Sequence, residues 1–174
     1  MTQAAQTAER VVRINGINIA FRLQGDGPPL VLIMGYRLSS VAWPVKLVEA
    51  LAKNFTVITF DNRGTGQSDK PLNGYALANM ARDVAGLLDE IGIESTYVLG
   101  YSMGGAIAQE FTRQFAHRVA GLILCATMCG GPCATFCGKT FGTTSSLNRT
   151  GCSIAGRPTS YHSRANTFAP LQKT

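Results

Sequence analysis

Thr96-Tyr97-Val98-Leu99-Gly100-Tyr101-Ser102-Met103-Gly104-Gly105-Ala106-Ile107-Ala108-Gln109-Glu110-Phe111 is the stretch that decides how this chain folds. Its first four residues form an apolar, β-type run, and Ala106 to Phe111 reads as a helix. Only Gly100 to Gly104 and one further glycine, Gly105, lie between them. A serine at the centre of so sharp a strand-to-helix turn is forced into strained backbone geometry, with its hydroxyl pushed out over the sheet edge. Glycines are needed two residues to either side because strand and helix nearly collide there. The fixed positions alone arise often by chance. Requiring a strand before them and a helix after them makes chance a poor account.

Working outward, the chain keeps alternating strand and helix patterns. Val11-Val12-Arg13-Ile14 and Ile17-Asn18-Ile19-Ala20-Phe21-Arg22-Leu23 flank Asn15-Gly16, a pair that accepts positive φ at both turn positions, so a hairpin is expected. Gly25-Asp26-Gly27-Pro28-Pro29 breaks the chain before the fully apolar strand Leu30–Met34. Continuous apolarity implies cover on both faces, as in a parallel sheet between helices. Pro44 to Leu51 suits a short helix, with Leu47, Val48 and Leu51 on one side. Thr56–Phe60 reads as another buried strand, leading into the loop Asp61-Asn62-Arg63-Gly64-Thr65-Gly66-Gln67-Ser68-Asp69. From Tyr75 to Ile91 apolar residues recur at threes and fours, the mark of an amphipathic helix. Val119–Cys125 forms the last recognisable strand. A hairpin followed by alternating strands and helices predicts an α/β fold with a mostly parallel sheet.

The pattern stops near Pro132. Residues 138–174 hold isolated Phe141, Leu147, Ile154, Phe168 and Leu171 with no period of two or 3.6, so two parts are expected: a core over 1–132 and an unrelated, disordered Cys/Thr/Ser/Arg-rich tail over 133–174. Charge divides at a similar place. Residues 1–110 carry 9 basic and 10 acidic side chains, whereas the rest of the chain carries 7 basic ones and no acid, for a net charge of +6. The basic residues are scattered singly, without clusters or interleaved aromatics, which argues against nucleic-acid binding. No apolar run approaches the length of a membrane span and none resembles a signal-peptide core, so a cytoplasmic protein without a membrane partner is expected.

All five cysteines (Cys125, Cys129, Cys133, Cys137 and Cys152) follow the serine motif, four of them at intervals of four. Short cysteine spacings occur in zinc sites. Cys125 belongs to an apolar strand, however, Gly130-Gly131-Pro132 interrupts any helix, and no histidine lies close by. Free thiols are the expected state, with no metal site and no cofactor.

Taken together, the Gly100–Gly104 turn, Asp61-Asn62-Arg63-Gly64-Thr65-Gly66-Gln67-Ser68 and the strand end Met34-Gly35-Tyr36 resemble the α/β-hydrolase fold family. The likeness is closest to small esterases, enol-lactonases and non-haem haloperoxidase-like members. It spans roughly Val11 to Gly131, about the first half of a typical member. The resemblance implies a mostly parallel hydrolase sheet with an N-terminal hairpin, cut short after about the sixth strand. It makes Ser102 the catalytic nucleophile and Gly100 and Gly104 the glycines of its turn. It makes the backbone N–H groups of Met103 and Tyr36 the oxyanion hole, although many relatives carry His-Gly where this chain has Met34-Gly35. The Asp61–Ser68 loop is implied to be a structural turn beside the site.

Such a serine needs a base to take its proton and preset donors for the tetrahedral oxyanion. The order of the family places an acid and then a histidine after the serine. Neither the catalytic acid nor the base is identifiable here. His117 lies across the intervening helix, about 20 Å from Ser102 at ~1.5 Å rise per residue. His162 lies in the tail, without matching context. The sole carboxylate after the serine, Glu110, is eight residues along the same helix, and Asp61 precedes the serine and is expected to hold its own loop. The leading expectation is therefore a serine hydrolase of carboxylic esters or lactones by ancestry, inactive in this form. A shifted reading frame near Cys129–Cys137 would account for the change in composition. Two other readings stay open. One is a non-enzymatic remnant that associates with itself or other proteins through an exposed Val119–Cys125 edge, and the other is a metal-binding module on the spaced cysteines.

Overall fold

The computed structural model describes residues 8–128, together with the backbone of 135–136 and 139–140. Contacts divide the chain into two units, Met1–Thr143 and Thr144–Thr174. The second lies wholly outside the described residues, as do His162, the cysteines after Cys125 and all of the expected tail except 135–136 and 139–140.

β1 (Arg10–Ile14) and β2 (Ile17–Gln24) form the expected hairpin. Asn15 and Gly16 adopt φ values of 48° and 79°, the left-handed pair that matches the twist of the flanking strands. β3 (Pro29–Ile33), β4 (Thr56–Phe60), β5 (Thr96–Tyr101) and β6 (Val119–Cys125) complete a six-stranded sheet in the order β1-β2-β4-β3-β5-β6. β1–β2 and β2–β4 are antiparallel, whereas β3–β4, β3–β5 and β5–β6 are parallel. This mixed, mostly parallel sheet is the one the alternating pattern predicts.

β3, β4 and β5 each feed two cores. Val31 and Ile33 of β3, Ile58 and Phe60 of β4, and Val98 of β5 pack under α2 (Leu77–Glu90) and α3 (Met103–Gln114) with Leu87, Leu88, Ile107 and Phe111. Leu30, Leu32, Val57 and Leu99, at the alternate positions, pack with Trp43 beneath α1 (Val45–Leu51). A strand buried on both faces has no polar side to show, which explains the unbroken Leu30-Val31-Leu32-Ile33 run. The short helix α1 departs from expectation at one residue. Val48 and Leu51 join the second core, but Leu47 is 39% exposed, because a helix of seven residues turns only a narrow strip toward the sheet.

β6 has the composition of an interior strand and the position of an edge. It pairs only with β5 among the described residues. Leu122, Ile123 and Leu124 are consequently 38%, 46% and 43% exposed. None of the described helices is long and apolar enough to cross a membrane.

Candidate functional site

β3, β4, β5 and β6 release the chain at neighbouring points of the sheet, and the motif serine sits where β5 becomes α3. Ser102 has φ 54° and ψ −121°, a region a residue with a Cβ rarely occupies. Its neighbours leave no room for a gentler turn. A Cβ on Gly104 would stand 2.0 Å from the Ile33 carbonyl oxygen, and one on Gly100 would stand 2.5 Å from the Gly104 carbonyl oxygen. Both glycines are thus demanded by close backbone approach. Ser102 is half-buried, and Met103 behind it opens α3. As a first-turn residue Met103 has no acceptor for its N–H within the helix, and the dipole of α3 adds positive potential at that point.

Three polypeptide segments surround Ser102. On the β3 side Gly35 passes so close that a Cβ there would lie 3.2 Å from the Ser102 Cβ. Tyr36 follows, in a turn closed by the Leu38 N–H to the Gly35 carbonyl at 3.4 Å, with Arg37 at φ 58°. Tyr36 itself is 61% exposed. On the β6 side the Ser102 N–H donates to the Cys125 carbonyl at 3.0 Å, and the Thr127 hydroxyl donates to the Ser102 carbonyl at 2.7 Å. Beneath the turn, Trp43 meets Tyr101 edge-on, with ring centroids 6.3 Å apart.

The Asp61–Asp69 loop braces this arrangement without entering it. Asp61 is 3% exposed and accepts the Ser40 N–H at 2.7 Å on one carboxylate oxygen and the Gln67 N–H at 2.8 Å on the other. Both oxygens are engaged by backbone, as befits a residue holding its own loop. The Asn62 side-chain amide donates to the Met34 carbonyl at 2.9 Å, which links the end of β4 to the end of β3. Ser68 donates to the Asp61 carbonyl at 2.6 Å and accepts the Ala20 N–H at 2.9 Å. Arg63 forks onto Asp83 of α2, with Nε to Oδ2 at 2.5 Å and Nη2 to Oδ1 at 2.7 Å, and donates its other Nη to the Gly74 carbonyl. The hydrogen bond from Asp83 outweighs burial and raises the already high pKa of Arg63. The Asn15 amide reaches the same carboxylate at 3.0 Å.

The histidine and carboxylate that follow the serine in the described residues are not brought to it. His117 is exposed, in a single turn of 3₁₀ helix beyond the far end of α3. Glu110 faces Arg113 and Gln114, whose side chains donate to it at 2.7–2.9 Å. The Arg113 hydrogen bond, against the effect of burial, holds the Glu110 carboxyl below its ordinary range. Among the described residues no group of three or more His, Cys, Asp or Glu side chains could hold a metal ion. Thr127, which contacts Ser102, and Asn62, which holds the end of β3 at Met34, are the polar residues whose roles sequence reasoning missed. An amide in a loop and a hydroxyl just past a strand are ordinary until the order β4-β3-β5-β6 sets their strand ends side by side.

A family model described as alpha/beta hydrolase fold matches residues 28–140. A soluble epoxide hydrolase of Corynebacterium sp. (strain C12) is 40% identical over 98 residues, covering 56% of this chain and 34% of that protein. Among solved structures, the esterase RhEst1 from Rhodococcus sp. ECU1013 aligns with a TM-score of 0.64 at 35% identity, over 70% of this chain and 46% of the esterase. Est816, described as an N-acyl homoserine lactone degrading enzyme, aligns with a TM-score of 0.65 at 30% identity, over 68% of this chain and 45% of that one. The chain thus spans about a third of the length of this curated relative and under half of these solved ones.

Proposed function

The chain belongs to the α/β-hydrolase fold family, and from that premise we propose that Ser102 is the nucleophile of an ancestral reaction on carboxylic esters or lactones. The reading rests on one observation above all: Ser102 stands at φ 54° between two glycines that backbone contact makes obligatory. In the complete reaction the Ser102 hydroxyl loses its proton to a base and attacks the carbonyl carbon. The resulting oxyanion takes the N–H groups of Met103 and Tyr36, the alcohol leaves with a proton, and water then releases the acyl group. A half-buried serine at the N-terminus of α3 suits the first part of this sequence. The similarity to an esterase and to a lactone-degrading enzyme supports the substrate class.

The described residues bring no base to Ser102, so the chain by itself is proposed to be inactive or nearly so. Loss of the base and acid removes most of the rate of a serine hydrolase, while oxyanion donors retain about 10³–10⁴-fold over water. Hydrolysis of a p-nitrophenyl ester should be undetectable, or weak and nearly unchanged by Ser102→Ala and by His162→Ala. A robust turnover abolished by each substitution would overturn this reading and show that residues after Met128 supply the base. A second reading, association through β6, is favoured by the exposure of Leu122, Ile123 and Leu124 on a strand whose outer edge has no partner among the described residues.

A further inference from the structure

Ser102 occupies a backbone conformation that is strained for a residue with a side chain, and such residues persist only where their surroundings over-determine them. Around this serine the restraint comes from the segment that follows β6. Its N–H is held by the Cys125 carbonyl at 3.0 Å and its carbonyl by the Thr127 hydroxyl at 2.7 Å, so one short segment grips both ends of the same residue. The Ser102 carbonyl also accepts the Gly105 N–H at 2.9 Å, and the hydroxyl takes its second lone pair.

The grip depends on a second strained residue. Ala126, between Cys125 and Thr127, has φ 47°. An alternating strand would send a carbonyl and the side chain two residues later in unrelated directions. The left-handed residue reverses the chain so that both meet Ser102. Thr127 is also fixed from behind. A Cβ on Gly105 would stand 2.5 Å from both Cβ and Oγ1 of Thr127, so the bare Gly105 backbone is the seat that admits it. The Gln109 amide ties the next residue to α3 by donating to the Met128 carbonyl at 2.8 Å.

We propose that Thr127 is a positioning residue: its hydroxyl locks the carbonyl of Ser102 and thereby keeps the serine in its strained, outward-facing turn. The proposal rests on the reading of Ser102 as the nucleophile only for its purpose, because the lock itself can be measured without turnover. A packing role and a locking role make opposite demands. Valine has the shape of threonine without the donor, whereas serine has the donor without the methyl group.

The test uses the full chain labelled with ¹⁵N and ¹³C. It follows amide hydrogen exchange at Ser102, with Val31 of the central strand as internal reference, and the carbonyl carbon shift of Ser102. Thr127→Val is expected to speed exchange at Ser102 about tenfold relative to Val31, the loss of one hydrogen bond, and to move its carbonyl resonance. Thr127→Ser should keep both within about twofold of the parent. Gly105→Ala, which drives Thr127 from its seat, should reproduce the valine result. Parent-like behaviour of Thr127→Val with disturbance in Thr127→Ser would assign packing and overturn the proposal. So would equal acceleration at Ser102 and Val31, which is global destabilisation. Failure here leaves the nucleophile reading standing, since that reading is judged by ester turnover.

Discussion

The side chain of Asn62 donates to the main-chain carbonyl of Met34 at 2.9 Å, so the exit of β4 fixes the exit of β3 one residue before Gly35. Asn62 is 2% exposed, so this bond is shielded from solvent. Asn62→Leu should leave the Met34 carbonyl unsatisfied and destabilise the protein by about 1–3 kcal/mol. Urea unfolding followed by circular dichroism measures the change, and an unaltered midpoint would show that the bond adds nothing to stability.

Gly104→Ala should be far more damaging than its chemistry suggests. The new methyl would lie 2.0 Å from the Ile33 carbonyl oxygen, which belongs to a central strand and cannot retreat. Gly16→Ala provides the contrast, because nothing lies within 4 Å of its Cβ and only the left-handed φ opposes it. The hairpin substitution should cost about 1–2 kcal/mol. Gly104→Ala should abolish soluble, cooperatively unfolding protein, and comparison of the two thermal melts decides the matter.

Arg63 and Asp83 form a bidentate pair with side chains 8% and 2% exposed. Removing one partner strands a buried charge, so Arg63→Met should cost about 3–5 kcal/mol. Replacing both, with Asp83→Leu added, should recover a large part of that loss. A double variant no more stable than Arg63→Met would contradict this account of the pair. Denaturant titrations of the parent, the two single variants and the double variant supply the comparison.

Acid should weaken the protein partly through Glu110. Its folded-state pKa is lowered, chiefly by the hydrogen bond from Arg113, so its contribution is present above the ordinary carboxylate range and fades as pH falls through the lowered value. Arg113 is exposed, which keeps the effect small. Glu110→Gln should flatten the acid limb of thermal stability between neutral pH and about pH 3 while leaving the alkaline limb alone. An unchanged acid limb would remove Glu110 from the explanation.

The β6 edge should make the protein self-associate. Leu124→Lys places a charge on the exposed, apolar edge and should shift the sedimentation profile toward monomer. If the parent is already a sharp monomer at high concentration, the edge is not sticky and the second reading fails.

Much of this architecture was legible in the chain because short-range rules govern it. Asn15-Gly16 permits one kind of turn, Leu30–Ile33 requires cover on both faces, and Gly100 to Gly104 brings strand against helix. What stayed hidden depends on strand order. Nothing local says that β3 lies between β4 and β5, so nothing local says that Asn62 meets Met34 or that Thr127 meets Ser102. The exposure of Leu122, Ile123 and Leu124 on β6, by contrast, agrees with the edge expected at Val119–Cys125, because the strand-and-helix pattern stops soon after it.

The place of β3 also has a consequence for synthesis on the ribosome. Leu30 pairs with Val57 on one side and Tyr97 on the other, and both partners are translated after it. This apolar strand of the nascent chain therefore emerges before either of its partners and waits, with neither flank protected. Only β1 and β2 can pair at once. Slowing translation between Ile33 and Thr56 would lengthen that wait and favour capture of the strand by chaperones or by other nascent chains, at no change to the finished protein's sequence.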